Sequence, residues 1–110
     1  MILVVFRSRN RPDGDLEEYS RRSKRLHELV AEHPGFISIE SFETPDGEEV
    51  SLETFETDES VKAWRDNPEH RETQRWAREH FYSWYSVQVS EVIRAHEADL
   101  MAPKEAAATS

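Results

Sequence analysis

The sequence predicts a single α+β domain of order β-α-β-β-α-β, an antiparallel sheet with its helices on one side. Three observations predict it. The chain has 110 residues, the length of one domain. Short β-branched and aromatic runs alternate with longer segments of helical period. Gly, Pro and Asp clusters separate them as turn and cap signals.

Ile2 to Ser8 is short, β-branched and apolar, and reads as the first strand. Arg11-Pro12-Asp13-Gly14 is a turn. Asp15 then suits an N-cap, with Glu18 in capping-box position. From Leu16 to about Glu32, Leu16, Tyr19, Ser23, Leu26, Leu29 and Val30 share one helical face. His33-Pro34-Gly35 stops that helix, because Pro cannot continue it and Gly suits its end. Phe36 to Thr44 is the second strand, with Ile37 and Ile39 on one side and Phe36 and Phe42 on the other. Thr44-Pro45-Asp46-Gly47 signals a hairpin. In the third strand, Val50 to Phe55, Val50 and Leu52 share one face and Phe55 takes the other. Thr57 or Asp58 caps a short helix through Val61 and Trp64. Asn67-Pro68 restarts it as N-cap and first helical residue, and Glu69 to about Phe81 continues it. The last strand runs from Trp84 to Ala95, with Tyr85, Val87, Val89 and Ile93 on one face. The Ala-rich tail, residues 97–110, reads as a flexible extension beyond the domain at 1–96.

Composition removes several function classes. Net charge is -9 and pI about 5.0, which argues against nucleic acid as partner. There is no cysteine, hence no disulfide, thiolate nucleophile or thiolate metal site. Mean hydropathy is -0.83 and no apolar run has membrane-span length, so a soluble, cytoplasmic protein with no membrane partner is expected. The apolar opening Met1–Phe6 lacks the charged leader and cleavage site of a secretion signal. Nine acidic residues and no Lys or Arg lie between Glu40 and Glu59, and elsewhere the charges balance at 14 each. This stretch reads as a solvated hairpin whose charge resists edge pairing, and its spacing fits no calcium loop.

Apolar residues on both faces of the strands predict a partner. Two helices cover one face of a four-stranded sheet, and the other then exposes Phe and Ile. A second copy packed sheet against sheet answers this, which gives a homodimer with a barrel-like double sheet.

Three glycines cannot build a phosphate-binding fingerprint, and no Gly-x-Ser-x-Gly elbow is present. No two of the five histidines are four residues apart, so no helical metal motif exists and no metal or other cofactor is expected. The informative stretch is Trp64 to Phe81. There His70, Gln74, Ala77 and Phe81 recur at spacings of four, three and four, on one helical face. His70 can move a proton at physiological pH, and Gln74 can orient a carbonyl or a dioxygen species. Ala77 leaves room, while Trp64, Trp76, Phe81, Tyr82, Trp84 and Tyr85 offer flat surfaces to an aromatic ligand. Arg7 on the first strand can pair with a substrate anion or extend to solvent. The bland alternatives stand beside these: a His70 that bonds a nearby backbone group, and aromatics that pack a core or a dimer contact.

The element order, the His33-Pro34-Gly35-Phe36 step, the Trp64…Asn67-Pro68-Glu69-His70 helix start and the Phe81-Tyr82…Tyr85-x-Val87-x-Val89 run together resemble the antibiotic biosynthesis monooxygenase superfamily over about residues 1–96. The resemblance implies a ferredoxin-like fold that pairs into a dimeric α+β barrel. It also implies several activities. Some members oxygenate polycyclic phenols or quinols without metal or flavin. Others degrade haem with an Asn on the first strand, a Trp, and a His on the later helix. This chain departs from the haem pattern, since Val4-Val5-Phe6-Arg7-Ser8 holds no Asn and the position ten residues after Trp64 is Gln74. The expectation is therefore a cofactor-independent monooxygenase acting on a small aromatic or quinol-type molecule. His70 would serve as base, Gln74 would steady the oxyanion, and Trp64, Ala77, Phe81, Trp84 and Arg7 would line the substrate site. A non-catalytic dimer that binds a small ligand is the second reading, and a domain with no ligand the third.

Overall fold

The computed structural model describes residues 1–101, so most of the Ala-rich tail lies outside the described residues. The elements are β1 (Ile2–Asn10), α1 (Leu16–Ala31), β2 (Phe36–Glu43), β3 (Glu49–Phe55), α2 (Asp58–Arg65), α3 (Pro68–His80) and β4 (Tyr82–Glu91). The four strands form one antiparallel sheet in the order β2-β3-β1-β4. The helices lie on one side of it, which makes the fold α+β and ferredoxin-like, with the second helical segment in two pieces.

Each helix starts where a short polar side chain can accept from free backbone N–H groups. Asp15 accepts from Glu18 N at 3.1 Å, and Thr57 from Ser60 N at 3.1 Å. Asn67 accepts from Glu69 N at 2.9 Å and His70 N at 3.2 Å, with Pro68 set in the first turn. Glu18 does not reach back to close a capping box; it pairs with Arg21 and Arg22 on its own helix. The end of α3 is closed from a distance. Arg11 donates to the carbonyls of Arg78 and Glu79, which the last turn of α3 leaves without helical partners, and to that of Tyr82 at the start of β4.

The turn between α1 and β2 docks on α2. Gly35 has φ +86°, a conformation that suits Gly. The Ser60 hydroxyl donates to the Pro34 carbonyl, and His33 Nε2 donates to Ser60 O at 3.0 Å. These bonds fix α2, and with it Trp64, against the sheet.

Two bulges correct the strand reading. The β2–β3 register shifts between Phe36 and Ser38. Phe36 and Ile39 consequently face the helices together, Ile37 is half exposed, and Phe42 faces away. A second shift at Arg9/Asn10 lets β4 begin at Tyr82, two residues before the expected Trp84. The Ser83 hydroxyl donates to the carbonyls of Arg9 and Asn10 and holds the extra residue there. At its other end β4 stops at Glu91, so Ile93 lies beyond the sheet and is exposed.

The core has two adjoining parts. Ile2, Val4, Val30, Phe55 and Trp64 form one, with Leu26, Leu29, Phe36 and Val61 against it. Ala77, Phe81 and Tyr82 form the other, with Phe6, Tyr19 and Trp76. The face turned away from the helices carries Leu3, Val5, Val50, Leu52, Phe42 and Trp84, and Phe42 and Trp84 are nearly half exposed. No helix among the described residues is long and apolar enough to cross a membrane.

Candidate functional site

A cavity of about 400 Å³ opens between the helices and the sheet, within the range of small-molecule sites. Its roof is α1 and the α2–α3 pair, and its floor is the helix-facing side of the sheet. Strand alternation decides what the floor presents. Val4 and Phe6 come from β1, Tyr85, Val87 and Val89 from β4, and Glu49, Ser51 and Glu53 from β3.

His70 and Gln74 stand one helical turn apart on α3, and both line the cavity. The His70 ring stacks on Trp64, with centroids 4.7 Å apart and planes 24° apart. The cap at Asn67 sets this geometry, because it fixes the first turn of α3 directly after Trp64 on α2. His70 Nδ1 is buried and has no hydrogen-bond partner among the described residues. Burial pushes the imidazole pKa down, and the nearby carbonyls of Arg65 and Trp64 oppose this without reversing it. His70 is therefore neutral at physiological pH, as a proton acceptor must be.

The other expected site residues fall elsewhere. Trp64 lines the cavity, but Ala77 and Phe81 do not. Ala77 is 1% exposed and Phe81 fully buried, because the Tyr19 ring stacks on Phe81 at 4.1 Å and fills the room that Ala77 leaves. Trp84 and Arg7 lie on the opposite face of the sheet. Arg7 points away from the cavity and is half exposed to solvent, as the second expectation for it had it, with its guanidinium paired to Glu48, which also holds Arg9 at 3.3 Å.

Tyr82 and Tyr85, expected to offer flat surfaces to a ligand, do line the cavity, and Tyr19, Glu49, Glu53 and His27 join them without having been expected there. Tyr19 and Tyr82 meet through their hydroxyls at 3.4 Å, and burial pushes both phenols up, so both stay protonated. Glu49 and Glu53 belong to the acidic stretch expected to be solvated, yet both turn inward. Burial raises both carboxyls, and Glu43 adds to the effect on Glu49. His27 faces them from α1, with Nδ1 donating to Ser23 O at 2.7 Å. The signal was present: Val50 and Leu52 on one face of β3 leave Glu49, Ser51 and Glu53 with Phe55 on the other. Among the described residues, no group of three His, Asp or Glu side chains is placed to hold a metal ion.

Comparison with known proteins agrees with this architecture. The model of the antibiotic biosynthesis monooxygenase family matches residues 1–76, a span that includes Trp64, His70 and Gln74. The uncharacterized protein YqjZ of Bacillus subtilis is 29% identical over 76 residues, covering 69% of this chain and 67% of that protein. Among solved structures, Rv0793 of Mycobacterium tuberculosis superposes with a TM-score of 0.76 at 18% identity, covering 87% of this chain and 98% of that one. SnoaB of Streptomyces nogalater, a cofactor-independent oxygenase, superposes with a TM-score of 0.70 at 14% identity, covering 86% and 94%.

Proposed function

The chain belongs to the antibiotic biosynthesis monooxygenase family, and from that premise we propose that the cavity is the active site of a cofactor-independent monooxygenase acting on an aromatic, quinol-type small molecule. The observation that carries this reading is a neutral His70 beside Gln74 over the Trp64 ring, in a cavity walled by apolar and aromatic side chains. His70 takes the proton of a phenol or an acidic C–H, and the electron-rich anion passes an electron to dioxygen. One oxygen atom enters the product and the other leaves as water, with the substrate supplying the electrons. Gln74 donates to the oxyanion that develops. Trp64 backs the His70 ring and, with the apolar walls, keeps water from the substrate.

The reading includes a second copy of the chain on the outer sheet face. Leu3, Val5, Phe42, Leu52 and Trp84 supply a shared apolar surface there, and a symmetric pair would cover it on both copies. Light scattering of the wild type and Trp84→Glu tests this, with a dimer expected only for the wild type.

Oxygen uptake tests the activity. Metal-free protein and His70→Ala are compared on anthrones, hydroquinones and catechols, with spontaneous oxidation subtracted. Uptake that needs His70 is expected. No uptake above background across the panel would leave the same cavity as a binding site without catalysis.

A further inference from the structure

The cavity's polar groups are divided by type. Gln74, Arg65 and Arg78 stand on the α2–α3 side, and all three can donate. The far side, between β3 and α1, holds Glu49, Glu53 and His27. Glu53 rises from the middle of the floor, paired with Val4 on one side and Ile39 on the other. Its carboxyl is largely buried, and the single charge that favours its ionised form is that of His27. His27 Nδ1 donates to Ser23 O, so that nitrogen is not free to donate to a ligand. The Ser51 hydroxyl, next on the floor, is engaged with Ser41 at 3.0 Å. This end thus gathers acceptors and holds almost no free donor, an arrangement that a ligand completes by bringing one.

We propose that Glu53 is a ligand-positioning residue: its carboxylate, backed by Glu49 and His27, seats a hydroxyl of the aromatic ligand at the end of the cavity opposite Gln74. This rests on the cavity being the binding site. Glu53 accepts the hydroxyl hydrogen and so fixes which edge of the ring system meets His70. The preferred ligand carries a hydroxyl at one end and the group that His70 deprotonates at the other. Regiochemistry would then be set from β3, while the proton transfer occurs at α3.

Calorimetric titration with two ligands of one ring system tests this: 2-naphthol, which can donate, and 2-methoxynaphthalene, which cannot. Wild type, Glu53→Val and Glu53→Gln are compared at neutral pH, after circular dichroism has established that each variant is folded. Wild type is expected to bind 2-naphthol roughly tenfold more tightly, the worth of one hydrogen bond to a charged acceptor. Glu53→Val should abolish the preference, so that the two ligands bind with equal affinity. Glu53→Gln, which keeps one acceptor oxygen, should retain part of it. Equal binding of both ligands by the wild type, or a preference that survives in Glu53→Val, would overturn the role of Glu53 and leave the cavity reading intact. Failure of the wild type to bind either ligand would overturn the cavity reading and this role with it.

Discussion

Replacing His70 with phenylalanine separates what this residue costs the fold from what it does in the cavity. The ring stacks on Trp64 while Nδ1 sits buried with no partner. A buried polar atom left unsatisfied costs about 1–3 kcal/mol. Phenylalanine keeps a flat ring on Trp64 and has nothing to satisfy, and its helix propensity is similar. Its extra bulk takes back about 1 kcal/mol. The Asn67 cap bonds the backbone N–H of residue 70 and survives the change. The net expectation is a gain of about 1 kcal/mol at neutral pH, or roughly 4–8 °C in Tm for a domain of this size. Acid adds a second signature. Burial holds the native imidazole pKa below its ordinary value of 6.5, so the unfolded chain binds the proton first. Wild-type stability therefore falls as pH drops through 6.5 toward the lowered native value, by at most about 1.4 kcal/mol per pH unit. The variant lacks this loss, and its advantage should widen from about pH 8 to about pH 5. Urea denaturation across that range measures both quantities, and oxygen uptake should vanish in the stabilised variant. A loss of stability at neutral pH, or an advantage that does not change with pH, would refute the description of His70 as a neutral ring with a buried, unpartnered nitrogen.

Glu53→Gln should show the opposite pH trend. Burial raises the native carboxyl pKa, so wild-type stability falls as pH rises from the ordinary glutamate value through the native one. The variant should melt higher than wild type at about pH 8 and close to it at about pH 4; an offset identical at both would contradict the assignment. Gly35→Ala should lose about 2–3 kcal/mol in urea, because φ is +86° and the new Cβ would lie 2.8 Å from Ser60 Cβ. Adding Ser60→Gly should recover the steric part only. Phe55→Ala should cost about 3–5 kcal/mol, since the ring is fully buried between the sheet and α2, and a loss below about 1 kcal/mol would mean that this core repacks freely.

Features that depend on neighbouring residues were readable from the chain alone. The caps at Asp15, Thr57 and Asn67-Pro68 are local chemistry, and each begins its helix where expected. The break between Trp64 and His70 was equally local, and it sets the stacked pair in the cavity. Features set by pairing across the sheet were not readable. Neither bulge has a sequence mark of its own, since each depends on how two distant strands come into register, and each reverses which side chains face the helices. The inward turn of Glu49 and Glu53 was hidden for another reason. Their neighbours in sequence are acidic, and local composition suggested water on every side. Ala77 and Phe81 do share the face of His70, but the stripe passes from cavity wall to packed core where Tyr19 closes over Phe81, a contact between α1 and the end of α3.

The sheet order β2-β3-β1-β4 governs the sequence of events in folding. The β2–β3 hairpin closes over the short Pro45-Asp46-Gly47 turn and can form from local contacts within microseconds. β1 is different: it lies between β3 and β4, and its pairing of Val4 with Val89 joins the two ends of the domain. Such long-range closure is slow. Until β4 docks, the apolar run Ile2–Phe6 presents an open edge onto which any extended strand can add. Docking of Tyr82–Glu91 covers that edge, and the interval before it is when the chain presents most unpaired strand to aggregation.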